Sequence, residues 1–408
     1  MTTQNRSAAA LALGSAVSGL LAYAVFVLTT RGLGAEAAAP VSVVWTYWAF
    51  AGAAFTFPLQ HWITRSVVGG REGVVRRAAP RVGLVVVALA AVLGVLAWIV
   101  RDDLFHRSVA WFAVMISLVT VGSAVMGVVR GGLGGRGRFE AVAASLVAEN
   151  ALRCVLVAGL LAADVPSPVA YGLCLVAGPL VAVVWPSALR YSDSGASVSE
   201  HVGPLAFLSA AAAAQLVSQV VLTGGPVLLA LSGGSPHEVT AMFAALALFR
   251  APYMLALGAA PQLTARVTRH SLAGEHEELR ELVRGVLVVT AVLVALAGVV
   301  GATIGPALLH LLFGETVDVS ATDAALLAVG CTIAVTNLGL MVVAMARDRA
   351  PAVTRAWGLA TAAGALGFVA LSGRSPVTTT AGCFLVAEAA ALVALAAVTV
   401  RAVRSSRV

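Results

Sequence analysis

The sequence predicts an all-α polytopic membrane protein with twelve transmembrane helices, and three observations predict it. Apolar stretches long enough to cross a bilayer recur down almost the whole chain. Nearly all the charge sits in the short gaps between them. The composition is 60% hydrophobic and 11% charged, with a mean hydropathy of +0.96. A spanning helix needs roughly 20 mostly apolar residues. In lipid every backbone polar group must be paired within the protein, which makes helix the form of a long unbroken apolar run.

The predicted spans, in chain order, are 8–30, 42–64, 82–100, 108–130, 140–162, 168–189, 204–231, 238–260, 284–305, 322–346, 351–371 and 377–400. The first follows a short polar start, Met1–Ser7, which has no small-residue cleavage site after it and reads as the cytoplasmic end of helix 1. Trp45, Tyr47 and Trp48 mark the outer start of the second span and Trp62 its inner end. The arginine cluster at 65–81 separates it from the third, and Trp98 and Trp111 flank the next outer turn. Arg136 and Arg138 precede the fifth, and Arg190 closes the sixth. Pro252 should kink the eighth, because it removes a backbone donor. The charged segment 262–284 leads into the ninth. Arg347, Arg349 and Arg355 lie between the tenth and eleventh, Arg374 precedes the twelfth, and Arg401, Arg404 and Arg407 follow it.

The arginines also set the topology. The chain has 26 basic residues, all arginine. With the N-terminus in the cytoplasm, twenty fall on the inner side, Arg130 among them. Arg31, Arg101, Arg107 and Arg374 fall outside, and Arg153 and Arg250 lie within helices. The positive-inside rule then puts both ends in the cytoplasm. The high pI of 9.9 follows from these dispersed inner-loop charges, and no aromatic-interleaved basic patch points to nucleic acid. Cys154, Cys174, Cys331 and Cys383 fall inside predicted helices without metal-ligand spacing and are expected to be unpaired. No Gly-rich phosphate loop with lysine occurs, and no His or Ser/His/Asp set can be argued from spacing. No cofactor and no enzyme activity are expected.

Two halves of the chain match each other. Leu28–Glu36 before helix 2 has a counterpart about 200 residues later in Leu229–Pro236 before helix 8, and Leu104-Phe105-His106 has one in Leu312-Phe313-Gly314. The longest charged inner loops, 65–81 and 262–284, correspond as well. Six helices plus six with equivalent loops on the same side is a parallel repeat about an axis along the membrane normal. The domains are therefore an N-terminal lobe over 1–190, a cytoplasmic linker over 191–203 and a C-terminal lobe over 204–408. The major facilitator arrangement shares the 6+6 count. Its largest loop usually lies between helices 6 and 7, which is short here, and its Asp-Arg loop core is missing.

An ionisable residue inside a span costs about 2.5–3.5 kcal/mol on insertion scales and is a functional hypothesis by default. Glu149 and Arg153, beside Asn150 in helix 5, are spaced i,i+4 on one face. They read either as a self-neutralised packing pair or as a cavity pair that lends Arg153 to an anionic substrate. Arg250 in helix 8 has no acid within one turn, so it must face water, an anionic ligand or a partner on another helix, of which Glu388 in helix 12 is one. Glu388 is either such a partner or a proton-binding switch. Gln215 and Gln219 share a face of helix 7 and, like Asn337 in helix 10, bond either to sugar hydroxyls or to neighbouring helices.

Several short motifs together resemble the multidrug/oligosaccharidyl-lipid/polysaccharide (MOP) exporter superfamily, most closely its polysaccharide and lipid-linked oligosaccharide flippase branch. They are Arg31-Gly32-Leu33-Gly34-Ala35-Glu36, Ala260-Pro261-Gln262-Leu263-Thr264-Ala265-Arg266 and Gly274-Glu275-His276-Glu277-Glu278-Leu279-Arg280. Leu311-Leu312-Phe313-Gly314 and Ala324-Ala325-Leu326-Leu327 complete the set. The resemblance spans essentially the whole chain. It implies a MATE-like fold of two six-helix lobes around a central cavity, in the bacterial cytoplasmic membrane. It also implies alternating-access transport of a polyprenyl-pyrophosphate-linked glycan, coupled to membrane potential, H+ or Na+. The alternatives it leaves are a MATE-type multidrug exporter and a non-transporting scaffold for envelope-glycan assembly. Expected partners are the lipid-linked glycan, membrane lipids and a glycan polymerase or glycosyltransferases, with the protein itself a monomer.

Overall fold

The computed structural model describes residues 3–192, 216–256, 276–345 and 349–404, and every regular element among them is helical. The chain divides into two compact units, Met1–Gln219 and Val220–Val408. Most of the predicted linker, the loop 262–275 and the motif at 260–266 lie outside the described residues.

In the first unit helical bonding runs from Thr3 to Ala51, but Gly34 sits at φ 75°, ψ 167°. Phe26 and Trp45 show what happens there. In one straight helix residues this far apart in sequence would lie about 28 Å from each other, yet their ring centroids are 6.2 Å apart. The chain reverses at Gly34, a backbone conformation that glycine adopts without steric cost. The result is two antiparallel helices, α1 (3–33) and α2 (35–68). α2 widens into a π-wound segment, Gly52–Thr56, before Phe57–Val68. Pro58, just beyond, has no N–H for the carbonyl one turn back, and the widened turn accommodates that loss.

The unit continues with α3 (Glu72–Ile99), a short helix Arg101–Phe105, α4 (Trp111–Gly135), α5 (Phe139–Ala162) and α6. Ser167 caps the start of α6, its side chain accepting from the Ala170 N–H. The single helix expected over 168–189 is not what forms. Only Pro168–Ala177 is α-helical, and Gly178–Val184 and Pro186–Leu189 wind as tighter 3-10 turns. Pro179 and Pro186 each remove a donor, and Gly178 carries no side chain to hold α geometry.

α7, described over 216–223 and Gly225–Leu231, crosses the division at Gln219, and the second unit goes on with α8, Pro236–Phe249, which resumes at 251–256. α9 (His276–Thr303), a short helix Gly305–Phe313, α10 (Ala321–Met345), α11 (Ala350–Ala370) and α12 (Pro376–Arg404) follow. Helices in lipid associate through close small-residue contacts and hydrogen bonds, and both units use these means. Gly14 of α1 meets Ala143 of α5, and Gly364 of α11 meets Ala387 of α12. Thr56 donates to the Ser123 carbonyl (2.8 Å), Ser117 to that of Ala90 (2.8 Å), and Thr290 bonds Thr336 (2.7 Å). Large apolar side chains such as Leu84, Val92, Val292, Leu296 and Leu366 are turned outward, as lipid requires.

Some local features recur near the positions paired in the expected repeat. Gly34 and Gly233, at the α1–α2 and α7–α8 turns, both have positive φ (75° and 87°). Phe105 and Phe313 are both fully buried at the ends of the short helices. Each is followed by a positive-φ residue, His106 at 50° and Gly314 at 99°.

Glu72 at the start of α3 accepts from the backbone N–H (2.7 Å) and hydroxyl (2.8 Å) of Ser192. Arg136 pairs with Glu72 at 3.3 Å, donates to the Ser187 carbonyl (3.0 Å) and to that of Arg190, and lies over the Tyr191 ring. The chain leaving α6 is thus fastened to α3 and α4.

Candidate functional site

In the first unit Arg153 of α5 is fully buried and Glu149 is 3% exposed, so neither charge is hydrated. The guanidinium of Arg153 is fully engaged. Nη2 donates to Glu149 Oε1 (2.6 Å), Nη1 to Asn150 Oδ1 (2.8 Å) and Nε to the Leu175 carbonyl of α6 (2.9 Å). Its face lies 4.7 Å from the ring centre of Trp48 on α2. Asn150 in turn donates to Ser18 Oγ (2.8 Å) on α1. Gly178 makes the room, for a Cβ there would fall 2.5 Å from Arg153 Nε.

Arg130 corrects the sequence reading. Expected in an inner loop, it is instead helical, 7% exposed and inside α4. Its Nη2 donates to Glu149 Oε2 and its Nε to Ser145 Oγ (3.2 Å). The apolar run ends at Arg130, whereas Gly131–Gly135 continue the helix past it. Two guanidiniums therefore share one carboxylate. A buried pair missing a partner costs several kcal/mol, and here each Glu149 oxygen serves one arginine.

In the second unit Glu388 of α12 is fully buried and accepts from Asn337 Nδ2 of α10 at Oε2 (2.7 Å) and at its own carbonyl (3.0 Å). This bond joins α10 to α12. Glu388 Oε1 and Asn337 Oδ1 are buried with no hydrogen-bond partner. Arg250 interrupts α8, and its carbonyl accepts from Met254 N (3.2 Å) as the helix resumes beyond Pro252. The interruption is the one expected of Pro252, which cannot donate to Leu248. Arg250 is half-buried, and its Nε is buried without a partner. Among the described residues it forms no ion pair with Glu388. Cys331 and Tyr253 lie within electrostatic reach of both Arg250 and Glu388.

The remaining candidates are less informative. Gln219 is half-buried and already engaged, and Gln215 lies outside the described residues. All four cysteines are free. Among the described residues no group of three or more His, Cys, Asp or Glu is placed to hold a metal ion. Sequence reasoning singles out Glu149, Arg153, Asn337 and Glu388, which the structure bonds within the two clusters, but not Arg130, Trp48 and Gly178, which contact Glu149 or Arg153. Their partners lie on other helices, so no spacing along the chain could reveal them.

No family model and no curated protein matches the chain in sequence. Solved structures match its fold over nearly full length. An inward-facing multidrug resistance MATE family transporter of the MOP superfamily aligns with a TM-score of 0.70 and 14% identity, covering 96% of each chain. The eukaryotic MATE transporter AtDTX14 gives 0.65 and 16%, over 99% of this chain and 98% of that one. A MOP superfamily transporter from Pyrococcus furiosus, whose binding pocket is described as reversed in polarity, gives 0.61 and 14%, over 97% and 94%. The chain is an all-α, multi-pass membrane protein with a MOP/MATE-like fold.

Proposed function

We propose that the protein is a secondary-active, alternating-access transporter whose cargo is anionic, a polyprenyl-pyrophosphate-linked oligosaccharide or related envelope glycolipid. The observation that carries this reading is Arg250, a guanidinium at a helix break whose buried Nε has no partner. An arginine inside a span is unfavourable unless something anionic or wet meets it. Its planar fork suits a diphosphate, to which it can give paired charge-assisted bonds. The surplus guanidinium beside Glu149 points the same way. Glu388, with one free oxygen, is the candidate for coupling to H+ or Na+. The protein would act as a monomer in a bacterial cytoplasmic membrane, beside a glycan polymerase or glycosyltransferases.

The fold favours a second reading, export of small molecules, because the similar structures include multidrug MATE transporters. Transport by purified protein in proteoliposomes separates the two. A lipid-linked pyrophosphoryl glycan should cross, Arg250→Ala should abolish its movement at near-normal abundance, and Arg250→Lys should restore part of it. Export of a cationic dye that is indifferent to Arg250→Ala would establish the second reading instead. Collapsing ion gradients and voltage together should stop transport if coupling is obligatory.

A further inference from the structure

The faces of α3 differ in what they meet. Val82, Val86, Ala90, Gly94 and Ala97 form a buried stripe, three or four residues apart, that packs on α4. A second line with the same spacing, Arg77, Arg81, Val85, Leu89 and Val92, is exposed throughout. That spacing puts it on one helical face, as two arginines followed by an apolar track. At 1.5 Å per residue Arg81 stands about 26 Å from Trp98, close to the ~30 Å hydrocarbon thickness of a bilayer. Arg81 and Trp98 therefore mark the two boundaries of this span. Among the described residues neither Arg77 nor Arg81 pairs with a carboxylate, and Arg77 donates only from Nε, to the Gly73 carbonyl of its own helix (3.3 Å). Glu72, the one acid among the five arginines of 65–81, is taken by Ser192 and Arg136. Arg101, at the far end of α3, is a contrast. It lies over the Trp98 ring at 4.9 Å and donates to the carbonyls of Trp98 (2.9 Å) and Ser108 (3.2 Å).

We propose that the Arg77–Arg81 end of α3 is a binding site for an anionic phospholipid of the surrounding membrane. Its phosphodiester sits between the two guanidiniums, and one acyl chain lies along Val85, Leu89 and Val92. The inference is independent of the cargo. Side chains one helical turn apart are neighbours, so both arginines reach one headgroup. Each can give paired charge-assisted bonds to phosphate oxygens, and basic groups at the end of a span draw anionic headgroups. The track below them fits the chain in length. Val92 lies about 16 Å from Arg81 along the helix, about the depth of one leaflet's hydrocarbon. That track decides for a lipid over a soluble anion, which would have no use for it. Charge decides for an anionic lipid over a zwitterionic one, whose cationic amine is repelled by two guanidiniums without a carboxylate partner.

The test uses full-length protein in detergent, offered equal amounts of phosphatidylglycerol and phosphatidylcholine. Bound lipids are counted by native mass spectrometry, and thermal unfolding is the control for folding. Wild type should hold phosphatidylglycerol in preference. Arg77→Gln with Arg81→Gln should lower its affinity about 25-fold, fivefold per arginine, and leave phosphatidylcholine unchanged. Arg81→Gln alone should lose about fivefold and guards against a double variant that fails to fold. Arg107→Gln with Arg374→Gln removes the same charge from exposed arginines elsewhere and should leave the preference intact. A folded Arg77→Gln, Arg81→Gln protein with the wild-type preference, or an equal loss in the Arg107→Gln, Arg374→Gln protein, would overturn the site. Displacement of the lipid by millimolar inorganic phosphate would overturn it in favour of a soluble anion. Absence of any preference in wild type would overturn it too, leaving the arginines to an acidic partner protein.

Discussion

Single residues decide how charge is stored in this protein. Arg153 has a partner for every nitrogen and an aromatic ring across its face. Arg250 has a buried Nε with none. The same residue type is fully bonded in one unit and keeps an unbonded buried nitrogen in the other. The first depends on glycine. Gly178→Ala would place a methyl group 2.5 Å from Arg153 Nε, and because Arg153 is boxed in on all sides the guanidinium must shift off Glu149. Overpacking of this kind costs about 1–3 kcal/mol. Thermal unfolding in detergent should show a lowered midpoint for Gly178→Ala, whereas Gly159→Ala, which has open space around it, should be neutral. An unchanged midpoint for Gly178→Ala would mean that the α6 backbone yields instead. At this scale the sequence revealed which spans hold charge, because a charge in an apolar run stands out. It did not reveal that Arg130 completes the Glu149 cluster, because the pair is made across helices.

The apolar stretches were legible as elements, and α5 is observed at Phe139–Ala162 against an expected 140–162. What hydropathy could not show is how each helix winds. A window averaged over a bilayer's width is blind to a single missing N–H. Prolines supply the three exceptions: the π-wound part of α2 before Pro58, the 3-10 turns of α6 at Pro179 and Pro186, and the break in α8 before Pro252. The last has a consequence for Arg250. Pro252→Ala would restore a donor to the Leu248 carbonyl and let α8 run straight through Arg250, at a gain of up to about 3 kcal/mol. The variant should unfold at a higher temperature and transport more slowly, since the guanidinium leaves the break that presents it. A Pro252→Ala protein with wild-type transport would show that the break does not position Arg250. The carboxylate of Glu72 holding Ser192, with Arg136 beneath, shows that the end of α6 belongs mechanically to α3 and α4.

For the whole molecule, the all-α, multi-pass character was readable because recurring apolar stretches are a long-range regularity. Positive φ recurs at Gly34 and Gly233 and at His106 and Gly314, although the last two differ in ψ, 31° against 163°. Orientation in the bilayer rests on the arginine asymmetry, from which Arg130 now drops out as a helical residue. Single cysteines placed near Gly70 and Arg349, on a background with the four native thiols replaced, should react with an impermeant maleimide only after the membrane is opened. A cysteine near Arg107 should react in intact cells, and labelling of Gly70 from outside would invert the topology. The reversal at Gly34 bears on how the protein is made. Helical bonding continues up to and beyond the turn, so the link between α1 and α2 is only the few residues around Gly34, with Arg31 and Glu36 exposed beside it. A link this short leaves little chain to be carried across the bilayer, so during synthesis the two spans are expected to enter as one closed hairpin.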